Sequence, residues 1–199
     1  MTGIEAIASY VPERRASNLA LMQKFEVDES FLEEKIGVVQ RAVRGEGEDT
    51  SDMALRALEA LLAQTGTPRE EIRVLVVVTQ NPDTNLPHVS GLVHAKAGLA
   101  ANCAAFDISL GCPGFVYGLS FIQSILAGNG VGRGVLVTCD PYSKIIDPDD
   151  KNTVLLFGDA ATATLVGPRP ILRTSAFEFG TRGDLTGALV CNEGRLTMN

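Results

Sequence analysis

The stretch Phe106–Leu119 constrains the fold more than any other part of the chain. It reads Phe-Asp-Ile-Ser-Leu-Gly-Cys-Pro-Gly-Phe-Val-Tyr-Gly-Leu. The mainly apolar run Ala104–Ser109 predicts a short buried strand. The apolar residues that follow recur at helical spacing, at Phe115, Leu119, Ile122 and Leu126. Cys112 is therefore expected where a strand gives way to a helix.

A cysteine in this position has the surroundings of a nucleophile. Pro113 suits the first position of a helix, where no backbone N–H is needed. Gly111 and Gly114 carry no side chain, so a substrate can approach the sulfur. The unpaired N–H groups and the positive dipole end of a helix N-terminus favour the thiolate form of Cys112. The alternative is a buried cysteine that only fills space, but the flanking glycines and proline favour a nucleophile.

The rest of the chain alternates predicted strands and helices, which indicates an α/β fold with one layered sheet. Strands are expected at residues 3–11, 38–43, 72–79, 134–140, 171–178 and 185–191. Helices are expected at residues 19–25, 29–35, 50–64, 88–98 and 114–127. Asn18 and Asp28 are the expected N-caps of the first two helices. The helix at 50–64 is the clearest, because its apolar residues form one stripe and Gly66 ends it.

Composition excludes several classes of function. A net charge of −7 argues against a general nucleic-acid-binding protein. No apolar run approaches the ~20 residues of a membrane span, and the N-terminus lacks a signal-peptide pattern, so a cytoplasmic location is expected. Four dispersed cysteines and two histidines argue against a zinc site. Cys103, Cys139 and Cys191 are expected to be reduced packing residues.

Several blocks in order resemble the ketoacyl-acyl-carrier-protein synthase III group of the thiolase superfamily, from residue 4 to residue 199. They are the Phe106–Leu119 block, Asp147–Asp150, Phe157–Asp159 and Leu196–Met198. The resemblance implies an αβαβα sandwich of two similar halves. This chain would be the N-terminal half, with a central mixed sheet and a buried nucleophile helix. Members of the group usually form homodimers.

The resemblance also implies a two-step reaction. Cys112 takes an acyl group from acyl-CoA, or from an acyl-carrier protein, as a thioester, with its own backbone N–H in an oxyanion hole. The acyl group then condenses with the carbanion formed by decarboxylation of malonyl-acyl-carrier protein, which gives a β-ketoacyl product. No metal, flavin or nicotinamide cofactor is implied, and the chain lacks a Gly-rich phosphate loop of the required form.

Three positions correspond to the CoA-binding residues of the family. Phe31 stands where the family often has a tryptophan that stacks on the CoA adenine. Lys151 stands where an arginine commonly covers the other face of the adenine, and Lys35 where another arginine commonly helps to hold CoA. Phenylalanine and lysine can still form an aromatic–cation stack, but lysine lacks the planar guanidinium.

Three further positions correspond to the acyl pocket. Phe157 matches a wall of the pocket, and Tyr142 is expected to line it. Leu86 matches a residue that reaches across the family dimer to shape the acyl tunnel of the neighbouring subunit. The family's Gly-Asp-Gly-Ala-Gly run is replaced here by Gly158–Thr162, Gly-Asp-Ala-Ala-Thr, which adds side chains to a normally bare backbone.

The histidine and asparagine that the family uses for decarboxylation come from its second half, and neither His88 nor His94 matches that histidine. Residues 1–170 are accordingly expected to be a thiolase-like N-terminal domain, and residues 171–199 the start of the connection to a C-terminal half. The chain is interpreted as the N-terminal portion of a longer enzyme, or alternatively as a natural half that needs a partner.

Two other functions stay open from the sequence. One keeps the acyl-cysteine but transfers the acyl group to another acceptor, such as an amine, a hydroxyl or a second acyl chain, as in relatives from secondary metabolism. The other is a non-catalytic subunit that pairs with an active homologue. The intact Gly111–Gly114 turn argues against the second, because such a subunit has no need of an exposed thiol.

Overall fold

The computed structural model describes residues 2–130 and 132–198. The chain divides into two compact units. The first comprises Met1–Tyr10, Gly47–Asp140 and Ala160–Glu178. The second comprises Val11–Glu46, Pro141–Asp159 and Phe179–Asn199.

The strands and helices of the two units follow in chain order. The strands are β1 (Gly3–Tyr10), β2 (Arg15–Ser17), β3 (Gln40–Ala42), β4 (Ile72–Val78), β5 (Ala104–Ile108), β6 (Arg133–Cys139), β7 (Ala161–Gly167), β8 (Leu189–Asn192) and β9 (Arg195–Met198). The helices are α1 (Met22–Phe25), α2 (Thr50–Thr65), α3 (Val89–Lys96), α4 (Gly114–Asn129) and α5 (Lys151–Val154). A π-helical turn covers Phe31–Ile36, and short 3-10 turns lie at Leu19–Leu21, Arg69–Glu71, Tyr142–Lys144 and Gly183–Leu185. None of the described helices is long and apolar enough to cross a membrane.

The first unit is built on a five-stranded mixed sheet in the order β1-β7-β6-β4-β5. Strand β4 pairs in parallel with β5 and β6, whereas β7 pairs antiparallel with β1 and β6. The β4 run Val74–Val78 is fully buried, which confirms the prediction of a strand covered on both faces. Strand β5 lies at the edge of this sheet and is only half-buried, so the prediction that it is a buried strand is wrong.

Helices cover both faces of the sheet, which confirms the α/β class. Leu75 and Val77 of β4 point into the core formed with α2 and α3. Their neighbours Val74, Val76 and Val78 point the other way, into the core formed with α4. This division follows from the alternation of side chains along a strand. The first unit therefore has three layers, with the sheet in the middle.

Helix α2 matches its prediction closely. Asp49 and Asp52 form a reciprocal capping box at its start, and Gly66 ends it in the left-handed conformation, with φ of 65°. The predicted stripe is entirely buried, and consists of Met53, Ala54, Ala57, Leu58, Leu61 and Leu62.

Helix α4 is buried along one side only. Leu119, Ile122 and Leu126 lie in the core, whereas Val116 and Phe121 are 41% and 52% exposed. The expectation of a buried nucleophile helix is therefore met on its sheet-facing side and not on its outer side. The outer side nevertheless carries no charge, because the whole of α4 lacks charged residues.

The second unit contains two antiparallel ribbons, β2–β3 and β8–β9. A small core forms around Leu32, Val154 and Leu155. Asp28 accepts the backbone N–H of Phe31 at 2.8 Å, as expected for an N-cap. The cap prediction for Asn18 is wrong, because its buried side chain bonds to other segments instead.

The predicted strand at residues 171–178 is also wrong. Only Leu172 forms a bridge, with Ile4, and Ile171 and Leu172 are largely exposed. Strand β1 lies at the end of the sheet, and this segment meets its outer edge at Ile4, which bonds to Ile171 and Leu172. The strand predicted at 185–191 is shorter and lies at β8.

Candidate active site

Cys112 lies in the turn between β5 and α4, as predicted. Leu110 N–H donates to the Ile108 carbonyl at 3.0 Å, and Gly114 N–H donates to the Gly111 carbonyl at 2.9 Å. Pro113 precedes the first helical residue rather than being it, and its carbonyl accepts the first N–H groups of the helix. The proline therefore initiates the helix directly after the sulfur.

The four free cysteines differ in access. Cys112 is exposed, while Cys103 and Cys139 are buried. Burial raises the pKa of the Cys103 thiol, which suits an inert packing residue. Cys191 is exposed in β8, so the expectation that it packs in a core is wrong.

The backbone N–H of Cys112 is uncommitted. No acceptor within the described part of the chain lies at hydrogen-bonding distance from it. An amide hydrogen next to a reactive sulfur can stabilise the oxyanion of a tetrahedral intermediate. The turn thus presents a reachable thiol and a free donor on the same residue.

Gly114 and Gly118 of α4 serve packing. A Cβ at Gly114 would collide with the side chain of Val78, and one at Gly118 would lie 2.5 Å from Leu136 Cδ1. Two bare positions one turn apart therefore let α4 approach β4 and β6 closely. This packing role adds to the prediction that the bare Gly114 admits a substrate.

Two carboxylates near the turn were not predicted as structural residues. Asp107 of β5 accepts the N–H groups of Val89 and Ser90 at 2.7 and 2.8 Å, which anchors the start of α3. Asp140 accepts hydrogen bonds from the segment that follows β4, and burial raises the pKa of its carboxyl group. An acidic residue inside or directly after an apolar strand is the signal that could have identified both.

In the second unit, Phe31 and Lys151 come together. The Lys151 Nζ lies 5.3 Å from the centroid of the Phe31 ring, within cation–π range. Lys35 is exposed on the same helical turn as Phe31. Asp150 caps α5, since its side chain accepts the Asn152 N–H. An aromatic face and two cations are therefore available in this unit, with Lys151 already against the ring.

Tyr142 and Phe157 form an aromatic pair in the second unit. Their ring centroids lie 4.8 Å apart, with an interplanar angle of 39°. Asp159 accepts the backbone N–H of Ser143 at 3.0 Å and also its hydroxyl. The same carboxylate accepts the Arg44 N–H at 2.7 Å. One buried acid thus fixes the segments that carry both rings.

A second set of polar contacts holds the segment before Asp159. Arg41 donates to Asn18 Oδ1 at 2.8 Å and to the Phe157 carbonyl at 3.1 Å, and Asn18 donates to the Leu155 carbonyl. Burial lowers the pKa of Arg41, while the nearby Asp159 acts in the opposite direction. Neither Asn18 nor Arg41 was predicted to belong to a network, because the partners are far apart in sequence.

Leu86 lies in the first unit and is 85% exposed. Its loop is anchored upstream by Asp83, whose carboxylate accepts the backbone N–H and the hydroxyl of Ser51 at 2.8 and 2.6 Å. A large apolar side chain is therefore held out on a fixed loop.

Known proteins are similar to this chain in sequence and in fold. A family model described as 3-oxoacyl-[acyl-carrier-protein (ACP)] synthase III matches residues 106–183. The chain is 35% identical to the β-ketoacyl-[acyl-carrier-protein] synthase III of Deinococcus deserti over 168 residues, which cover 84% of this chain and 48% of that protein. It is 36% identical to synthase III 1 of Halalkalibacterium halodurans over 195 residues, which cover 96% of this chain and 61% of that protein.

The structural similarity extends over almost the whole chain. The crystal structure of the β-ketoacyl-[acyl-carrier-protein] synthase III of Thermus thermophilus superposes with a TM-score of 0.87 at 30% identity, and the match covers 99% of this chain and 65% of that one. The thiolase-like fold is thereby confirmed. The chain spans about half to three-fifths of the length of the curated relatives. Its sequence and fold are similar to those of the 3-oxoacyl-[acyl-carrier-protein] synthase III family, and it corresponds to the N-terminal part of the members compared.

Proposed function

We propose that this chain supplies the acyl-accepting cysteine of a condensing acyltransferase. The Cys112 thiolate attacks the carbonyl of an acyl-CoA, and the acyl–sulfur bond to CoA breaks as the acyl-cysteine thioester forms. The exposed thiol beside an uncommitted backbone N–H is the observation that carries this proposal.

The second step is decarboxylative condensation. Malonyl-acyl-carrier protein loses CO₂, and the resulting carbanion attacks the acyl-cysteine carbonyl. A carbon–carbon bond forms, the Cys112 thiolate leaves, and a β-ketoacyl product remains on the carrier protein. The histidine and asparagine that polarise the malonyl thioester are expected from a C-terminal half, so condensation requires more than these residues.

Six side chains are proposed to bind the acyl-CoA. Phe31 and Lys151 hold the adenine, and their cation–π contact supports this assignment. Lys35 adds a cation on the same turn as Phe31. The aromatic pair of Tyr142 and Phe157 lines the acyl pocket. Leu86 is proposed to shape the acyl tunnel of the neighbouring subunit.

The active enzyme is proposed to be a cytoplasmic homodimer with both halves of the fold in each subunit. Among the described strands, β5 pairs only with β4 and so has an open edge, and such edges are normally covered. The exposed Leu86 suits a contact with the neighbouring subunit. The uncharged outer side of α4 suits cover by the C-terminal half. This proposal includes a thiolase-like N-terminal domain at residues 1–170. Residues 171–199 would then begin the connection to the C-terminal half.

The two alternative functions are not favoured, because the relatives above are named as β-ketoacyl synthases III. A non-catalytic subunit would also have no use for an accessible thiol at a helix start.

Acyl labelling tests the proposal. The chain is incubated with radiolabelled acetyl-CoA and octanoyl-CoA, and the labelled residue is identified by peptide mass spectrometry. We expect one acyl group per chain, on Cys112, and none in Cys112→Ala. The matched control is Cys191→Ala, which removes the other exposed thiol and should label like the parent. The proposal that Cys112 is acylated would be contradicted if Cys112→Ala were still labelled, or if the parent were not labelled.

A further inference from the structure

We propose that Asp140 is a positioning residue for Cys112. It fixes the end of β4, and the end of β4 in turn holds the turn that carries the thiol. This role rests on the acyl transfer proposed for Cys112 and adds a residue outside the Gly111–Gly114 turn.

Asp140 follows β6 directly and faces the residues that follow β4. Because β4 and β6 are parallel neighbours, their carboxyl ends meet at one edge of the sheet. The Asp140 Oδ1 accepts the Gln80 N–H at 2.9 Å, the Asn81 Nδ2–H at 2.8 Å and the Thr79 hydroxyl at 3.3 Å. One carboxylate oxygen thus fixes three consecutive residues.

These residues are joined to the cysteine turn through the backbone. Thr79 N–H donates to the Ile108 carbonyl at 3.1 Å. The same carbonyl accepts the Leu110 N–H at 3.0 Å, and Leu110 lies two residues before Cys112. A shift at Thr79 is therefore transmitted to the strand side of the turn.

The helix side of the turn also rests on β4. The side chain of Val78, next to Thr79, lies against the bare Cα of Gly114. Gly114 is two residues after Cys112. Both ends of the turn therefore contact Val78 and Thr79 at the end of β4. Asp140 holds Thr79 and the two residues after it.

The charge of Asp140 matters for this anchor. Hydrogen bonds to an ionised acceptor are roughly twice as strong as those between neutral groups. An asparagine would keep one carbonyl oxygen for the same donors but lose the charge. Alanine would leave the donors of Thr79, Gln80 and Asn81 without this acceptor.

The kinetics of acylation test the role. The rate of acyl-cysteine formation is measured by quenched flow and intact mass over a range of acetyl-CoA concentrations. We expect Asp140→Ala to lower the maximal rate about ten- to hundredfold, because misplacing a reacting group is costly. The half-saturating concentration should change less than about twofold, since the hydrogen bonds of Asp140 go to Thr79, Gln80 and Asn81. Asp140→Asn should recover part of the rate.

The matched control is Asp52→Ala. Asp52 is also a carboxylate of the first unit with two hydrogen bonds, from the Asp49 N–H and the Lys96 ammonium, but it lies on α2. The Asp52→Ala variant should be acylated at about the parent rate. The proposal would be overturned if Asp140→Ala were acylated at the parent rate, or if Asp52→Ala lost as much of the rate. It would also be overturned if Asp140→Ala changed only the half-saturating acetyl-CoA concentration. If Asp140→Ala fails to fold by circular dichroism, Asp140→Asn carries the test, and a parent-like rate in it would overturn the proposal.

Alkylation separates this inference from the proposed acyl transfer. Absence of acylation in the parent would contradict the proposed function alone. The rate of Cys112 alkylation by iodoacetamide is then measured against that of Cys191 in the same molecule. Asp140→Ala should change the ratio of the two rates at least threefold, whereas an unchanged ratio would overturn the positioning role.

Discussion

Cys112 and Cys191 are both exposed thiols, but their backbone surroundings differ. Cys112 is followed within two residues by a 16-residue helix, whereas Cys191 lies inside a four-residue strand of a two-stranded ribbon. Reactivity of a thiol depends on nearby amide hydrogens and dipoles as well as on access. The sequence allowed the first site to be predicted because its glycines and proline surround the sulfur. The exposure of Cys191 depends on the pairing of β8 with β9, which local pattern did not reveal.

At the same scale, Lys151 should contribute to CoA binding, because its ammonium lies beside the Phe31 ring on which the adenine is proposed to stack. A contact between this ammonium and the face of the bound adenine is worth about 0.5–2 kcal/mol. We therefore expect Lys151→Ala to weaken CoA binding about two- to thirtyfold by isothermal titration calorimetry. Lys151→Arg should bind at least as tightly as the parent, because a guanidinium also stacks on aromatic faces.

Lys24 provides the matched control for Lys151. Its ammonium also lies 5.3 Å from the centroid of a phenylalanine ring, that of Phe25, in the same unit. Lys24→Ala should bind CoA within about twofold of the parent. Equal weakening by both alanine variants would show that the effect is nonspecific loss of positive charge.

At the scale of elements, helix α4 and strand β4 owe their close contact to two glycines. Gly114→Ala should destabilise the chain by about 1–3 kcal/mol, the usual cost of overpacking, because the new methyl group meets Val78. Urea denaturation measures this change. Gly128→Ala on the same helix should instead stabilise the chain by up to about 1 kcal/mol, because nothing lies within 4 Å of its added Cβ. Equal destabilisation by both changes would contradict the packing role of Gly114.

Elements with a strong local pattern could be predicted, and those that depend on distant partners could not. The stripe of α2 and the valine run of β4 specify their own burial. The position of β5 at the sheet edge is decided by strand order, which sequence does not state. The network of Asn18 and Arg41 joins residues 23 apart with a segment more than 100 residues later. Such contacts carry no periodic signal.

At the scale of the whole molecule, α4 has two sides that are both uncharged but only one that is buried. A helix without charge on any side is typical of one that is covered all round. The expectation of a buried nucleophile helix came from the family resemblance, and the lack of charge agrees with it. Its outer side exposes the apolar side chains of Val116 and Phe121, which favour association until they are covered.

Phe121 tests this property of the surface. It is 52% exposed, and its neighbour Ile122 is fully buried. We expect the parent chain to self-associate with rising concentration in sedimentation-velocity experiments, because exposed apolar side chains associate in water. Phe121→Glu should lower the weight-average sedimentation coefficient at high concentration and leave the thermal midpoint within a few degrees of the parent. The control Ile122→Glu should lower that midpoint strongly or prevent folding, because it buries an unpaired charge. A parent that stays monomeric throughout the concentration range, or association unchanged by Phe121→Glu, would show that the outer side of α4 is not such a surface.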